Sequence, residues 1–99
     1  MTFKVTRTVT RNSTTTPFYL YKADSLAYIV EKYDTTNKRI KFTVHETSDS
    51  LQRISVTEWV DESAYNEFKN DETLNAMVAD GIAYNTIHNI TSETITESI

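Results

Sequence analysis

The stretch Leu51–Ala79, LQRISVTEWVDESAYNEFKNDETLNAMVA, constrains the fold of this chain more than any other part of it. It opens as a strand. Ile54, Val56 and Val60 alternate with Arg53, Ser55, Thr57 and Trp59, the period of two that sends successive side chains to opposite faces. The strand ends at the only tryptophan. Asp61 then stands where a helix N-cap belongs, ahead of a short amphipathic segment bearing Tyr65 and Phe68. Asn70 or Asp71 caps a second such segment, bearing Leu74, Met77 and Val78. A strand that turns directly into two clipped helices admits few topologies.

The flanking sequence supplies the remaining elements. Phe3, Val5 and Val9 alternate with Thr6, Thr8 and Thr10 in a first strand whose apolar face is interrupted by Arg7. Asn12–Pro17 is a polar loop, and Phe18–Tyr21 fits either a prolonged strand or a lead into a helix. Asp24 or Ser25 caps a helix reaching about Tyr33, with Leu26, Ile29, Val30 and Tyr33 in one stripe. Ile40, Phe42 and Val44 alternate with Lys41, Thr43 and His45 in a second strand, joined to the third through Ser48–Ser50. Gly81 suits a left-handed C-cap, Tyr84 to about Glu93 a final strand, and Thr94–Ile99 a fraying end.

The order is β-α-β-β-α-β with the second helix broken in two, an α+β, ferredoxin-like arrangement: one antiparallel sheet with helices on one face, in a single domain over 1–99. The helices seek the apolar side of the sheet, which places Val30, Phe42, Val44, Ile54 and Val56 in the core. Ser55 and Trp59 then lie on the other face, unless a bulge resets the alternation before Trp59. The uncovered sheet face meets water or a second copy of the chain.

Composition narrows the function classes. An apolar fraction of 38% and a charged fraction of 24% suit a soluble globular domain of 99 residues. One glycine and one proline argue against disorder and against a turn-dense sandwich, and 17 threonines favour strands. No apolar run spans a membrane, MTFKVTRTV lacks a signal-peptide core, and there is no cysteine, so a cytoplasmic address is expected. Residues 1–53 carry +4 and residues 54–99 carry −8. The basic half (Lys4, Arg7, Arg11, Lys38, Arg39, Lys41) offers itself to an anion, while solvated surface is the simpler reading. A net charge of −4 does not suit nucleic acid.

Trp59 is the leading candidate for a pocket residue, with a large apolar body and one donor to set against a small aromatic ligand. Tyr65 and Phe68 complete an aromatic grip, and His45 or Arg53 would orient a polar substituent. The competing reading spends the same aromatics on packing. His45 and His88, the only histidines, are expected on separate strands without metal-site spacing. No nucleophile elbow and no glycine-rich phosphate loop is present. Neither a metal, a cofactor nor a catalytic residue is therefore assigned.

The segment Ser55–Val78, a strand ending in Trp59 followed by a capped helix, resembles that of the antibiotic biosynthesis monooxygenase-like dimeric α/β barrels. The resemblance implies a homodimer whose two sheets pack face to face, and a pocket on the Ser55/Trp59 side. It implies less chemistry. Ser55 stands where the quinone-forming, cofactor-independent members carry a substrate-binding Asn, and Asn66 or a neighbour where they carry an Arg. Phe68 and Val78 stand where the haem-degrading branch has a second Trp and the haem-ligating His, and Val78 cannot ligate iron. The expectation is a small homodimer that is non-catalytic or binds a small aromatic molecule; the alternative is a cofactor-independent monooxygenase of phenolic compounds.

Overall fold

The computed structural model describes residues 2–99. Four antiparallel strands form one sheet in the order β2-β3-β1-β4: β1 (Phe3–Thr10), β2 (Arg39–Glu46), β3 (Gln52–Trp59) and β4 (Thr91–Ser98). Helix α1 (Ala23–Ile29) runs into a π-helical turn over Val30–Asp34. Helices α2 (Glu62–Lys69), α3 (Glu72–Met77) and α4 (Ala79–Ile87) fill the β3–β4 connection. The arrangement is α+β and ferredoxin-like, with the second helical segment broken into three pieces rather than two.

Register fixes the two faces. Phe3 pairs with Trp59, Val5 with Thr57, Arg7 with Ser55 and Val9 with Arg53, so these residues share one side. On β2 the same side carries Arg39, Phe42, Val44 and Glu46. Phe3, Val5 and Trp59 are buried there, together with Ile29 and Tyr33 of the first helix, Ala64 of α2 and Leu74 of α3. Each large apolar side chain buried this way contributes about 1.5–3 kcal/mol. Thr6, Thr8, Ile54, Val56, Thr43, His45 and Ile95 occupy the opposite side.

This reverses the expected assignment. Trp59, not Ile54 and Val56, faces the helices, because the period of two runs unbroken from the Phe3–Trp59 pair along β3. A bulge does occur, but in β2, where Ile40 is the unpaired extra residue between Arg39 and Lys41. Phe42 and Val44 are on the helix side, yet they are 47% and 45% exposed because the helices stop short of this edge strand. Within this chain Phe42 and Val30 are not core residues, and Ile54 is only half-buried on the far face.

The first helix is also rotated from the expected stripe. Ser25, Ile29 and Tyr33 point inward, while Leu26 and Val30 are 50% and 46% exposed. Lys22 occupies the N-cap without a side-chain cap bond, and the Asp24 carboxylate accepts only from its neighbouring Ser25 amide. By contrast Asp61 and Asp71 do cap, accepting from the amides of Ala64 (2.8 Å) and Leu74 (3.0 Å).

Residues 17–22 form an irregular lead into α1, with Phe18 buried beneath the Arg11 guanidinium, 4.2 Å from the ring centre. Gly81 is not a C-cap. It lies inside α4 with negative φ, where the Tyr19 ring packs so closely that a Cβ would meet Tyr19 Cε2 at 2.6 Å. The Tyr84 hydroxyl donates to the Pro17 carbonyl (2.5 Å), so Tyr84 belongs to the helix and not to a strand. Left-handed Asn89 (φ 56°) ends α4, and the final strand starts at Thr91 and holds its pairing to Ser98. No helix among the described residues is long and apolar enough to cross a membrane.

Candidate functional site

The end of β3 and the start of α2 bring Trp59, Tyr65 and Phe68 together. The Trp59 ring centre lies 4.8 Å from Phe68 and 5.8 Å from Tyr65, with Tyr33 edge-on at 5.8 Å and Phe3 stacked at 5.6 Å from Tyr65. Trp59 has no exposed surface, and its indole N–H donates to Thr57 Oγ1 at 2.9 Å. The cluster is closed and its one polar handle is already used.

The other two sequence candidates lie elsewhere. Arg53 is on the helix side but six residues back along β3, roughly 20 Å from Trp59. Its guanidinium lies 3.5 Å from Glu46 and over the Phe18 ring, with Nε buried and unpartnered. His45 pairs with Ile54 on the far face and is exposed. Among the residues that depart from the family pattern, Ser55 sits opposite Arg7 on the helix side, Asn66 is exposed on α2, and Phe68 and Val78 pack against the core.

Two features escaped the sequence reading. The first is a buried carboxylate. Asp71 accepts from Tyr33 Oη (2.5 Å), Lys32 Nζ (3.0 Å), Tyr28 Oη (2.9 Å) and the Leu74 amide. Burial alone would raise its pKa, but these donors outweigh burial and hold it far below the ordinary carboxylate range. Burial and the Asp71 charge push the Tyr33 phenol up, while the bonds to Asp71 and Tyr28 raise Lys32. The π turn makes the arrangement reachable, because its i→i+5 repeat brings Tyr28 and Tyr33, five residues apart, to the same side. A shallow groove of about 620 Å³ lies outside this cluster, over Lys32, Asn66, Glu67 and Asn70. Of its charges Lys32 pairs with Asp71, and Glu67 with Lys38 outside the groove, while Glu72 stands in the first turn of α3.

The second feature is the part of the helix side of the sheet that the helices leave partly uncovered, toward the β2 and β4 edges. Two cross-strand rows cross it, Val44–Ser55–Arg7–Thr94 and Phe42–Thr57–Val5–Thr96, with Val5 covered as part of the core. Phe42 and Val44 at one side and Thr94 and Thr96 at the other are exposed. A hollow of about 340 Å³ lies at the β2 edge, lined by Asp34, Asn37, Arg39, Ile40, Lys41 and Phe42. Tyr65 packs against Phe3 and Trp59; burial pushes its phenol pKa up, and the Arg7 charge pulls it part of the way back. Arg7 is half-buried, and the sequence did flag it as the residue that breaks the apolar run of β1. Among the described residues no group of His, Cys, Asp and Glu side chains is placed to hold a metal ion.

No protein-family model matches the chain, and no curated protein does. Solved structures match over nearly its whole length. SnoaB, a cofactor-independent oxygenase from Streptomyces nogalater, is 12% identical, with a TM-score of 0.67 over 99% of this chain and 92% of the other. A dimeric ferredoxin-like protein from an uncultured marine organism is 10% identical, with a TM-score of 0.64 over 99% and 94%. The monooxygenase ActVA-Orf6 of Streptomyces coelicolor, solved with nanaomycin D, is 12% identical, with a TM-score of 0.61 over 98% and 86%. The chain has the ferredoxin-like fold of the antibiotic biosynthesis monooxygenase structures.

Proposed function

We propose that this chain is a homodimeric binding protein that holds a small aromatic molecule on the helix side of the sheet beside Trp59 without transforming it. One observation carries the reading: Trp59 is closed off with its N–H used, while Phe42, its ring under the Arg39 guanidinium at 4.6 Å, and Val44 stay about half exposed on the same face of the sheet. Apolar surface left open within a cleft lined by a few polar groups is the usual make-up of a small-molecule site. The departures at Ser55, Asn66, Phe68 and Val78 support binding over catalysis. The dimeric neighbour and the apolar patch Ile54–Val56–Ile95 on the far face support a homodimer.

Emission from the single tryptophan during titration with quinols, flavin and naphthalene derivatives tests this. The expected result is saturable change with at least one two-ring aromatic and no oxygen uptake. Phe42→Ala should weaken binding about fivefold, the loss of roughly 1 kcal/mol of apolar contact. The absence of any saturable response would remove the site. The second reading, a cofactor-independent oxygenase of phenolic compounds, is favoured by the likeness to SnoaB and ActVA-Orf6 and by the Tyr65 phenol beside Trp59. Oxygen consumption with a quinol, lost in Tyr65→Phe, would establish it.

A further inference from the structure

The face of the sheet without helices carries an ordered charge pattern. At the Trp59 end of β3 one cross-strand row reads Lys41, Glu58, Lys4, Glu97 from the β2 edge to the β4 edge. Its signs alternate across all four strands. Within the chain the row makes one contact, Lys4 with Glu97 at 3.8 Å. Among the described residues Lys41 and Glu58 form no ion pair. The next row, Thr43–Val56–Thr6–Ile95, offers methyl groups and hydroxyls. The third, His45–Ile54–Thr8–Glu93, again has a basic side chain at the β2 edge and an acidic one at the β4 edge. At the far end Gln52, Thr10 and Thr91 are uncharged.

We infer that the charge row is a self-recognition device: it admits a second copy of the chain in one orientation, with the two-fold axis running along the strands. This rests on the homodimer proposed above and specifies its geometry. Two sheets packed face to face have their two-fold in the plane between them, and two directions keep the strands aligned. With the axis along the strands, β2 lies over the partner's β4 and β3 over the partner's β1. The row then falls on itself reversed. Lys41 meets the partner's Glu97 and Glu58 meets the partner's Lys4, so all four charges find opposite charges. Ile95 lies over the partner's Thr43, Val56 over the partner's Thr6, and His45 over the partner's Glu93. With the axis across the strands, the same row lands on Gln52, Thr10 and Thr91, and four charges enter the contact without counter-charges, which is costly. Packed sheets lie about 10 Å apart, a gap that a lysine and a glutamate span together. The row lies at the end of the strands, so its charges stay at the wet rim while Val56 and Ile54 take the centre.

Lys41 and Glu97 stand on opposite edge strands of one sheet, about 14 Å apart at the ordinary strand spacing, so any coupling between them acts between copies. Sedimentation velocity of charge-reversed variants uses this. Lys41→Glu and, separately, Glu97→Lys should each weaken self-association about tenfold at low salt, because each sets two like-charged pairs across the contact. An equimolar mixture of the two variants should regain most of the wild-type affinity, since both pairs in the mixed dimer are again of opposite sign. The double variant should regain it as well. A wild-type dimer that ignores both reversals, or a weakening that mixing does not restore, would overturn the orientation and leave the homodimer standing. A wild type that sediments as a monomer would overturn the inference together with the homodimer. Should a reversal fail to fold, as judged by circular dichroism, Lys41→Gln and Glu97→Gln decide through salt: the wild-type dimer should loosen as salt rises, and both variants should show a shallower dependence. Equal salt dependence in all three would likewise overturn the orientation.

Discussion

Four donors converge on the Asp71 carboxylate, which at the same time caps α3 and ties it to the first helix. Its loss leaves the buried Tyr33 hydroxyl and the Leu74 amide without their acceptor. Asp71→Ala should therefore cost about 2–4 kcal/mol in urea melts at pH 7, combining a lost cap with stranded buried donors. The pH dependence has a definite sign. Asp71 is held ionised by the fold, so its contribution is present above its unfolded value of 3.8 and is lost as pH falls below it. Tyr33 is held protonated, so its contribution is present below its unfolded value of 10.0 and is lost as pH rises past it. The acid limb should flatten in Asp71→Ala, measured as the dependence of the melt midpoint on pH. Sequence reading reached the cap but not the network. Tyr28, Lys32 and Tyr33 fall on one face only once a π turn is allowed, and an α-helical period assigns that face to Leu26 and Val30 instead.

Among the elements, α4 departs furthest from what its sequence suggests. ADGIAYNTI contains glycine, a β-branched run and an aromatic, which reads as a stop followed by a strand. Tertiary contact decides otherwise: the Tyr19 ring lies flush against Gly81, its hydroxyl donates to Asp80 (2.8 Å), and Tyr84 reaches back to Pro17. The glycine serves close approach and not backbone freedom. Gly81→Ala should accordingly destabilise by about 1–2 kcal/mol, because overpacking against Tyr19 exceeds the gain in helix propensity. In a Tyr19→Ala background the same change should stabilise by up to about 1 kcal/mol. Thermal melts of the four proteins form the double-mutant cycle, and additive effects would contradict the contact. Strands β1, β2 and β3 and helices α2 and α3 were legible because alternation and aspartate caps are local signals. The α4 helix was not, since its cause is a residue 62 positions away.

At the scale of the whole molecule, the decisive fact is which side of the sheet the helices cover. Alternation shows that β3 has two faces but assigns neither, and the more apolar side, Ile54 and Val56, turned out to be the one without helices. Phe3 and Val5 determine the choice by pairing with Trp59 and Thr57. The bare face then carries Ile54, Val56 and the 58%-exposed Ile95 around Thr6 and Thr8, with Lys4 near Glu97 at 3.8 Å on its rim. An apolar centre with a charged border has the make-up of a protein interface, and a two-fold axis through it would match the patch to itself. Under the homodimer proposed above, sedimentation of the wild type should give twice the 11.4 kDa of the chain. Val56→Lys places two like charges in the centre of that contact. It should yield a monomer that still folds, because Val56 makes no part of the helix-side core. The binding proposed above uses the opposite side of the sheet, so affinity for an aromatic ligand should survive the substitution. A Val56→Lys variant that still sediments as a dimer would place the interface on another surface.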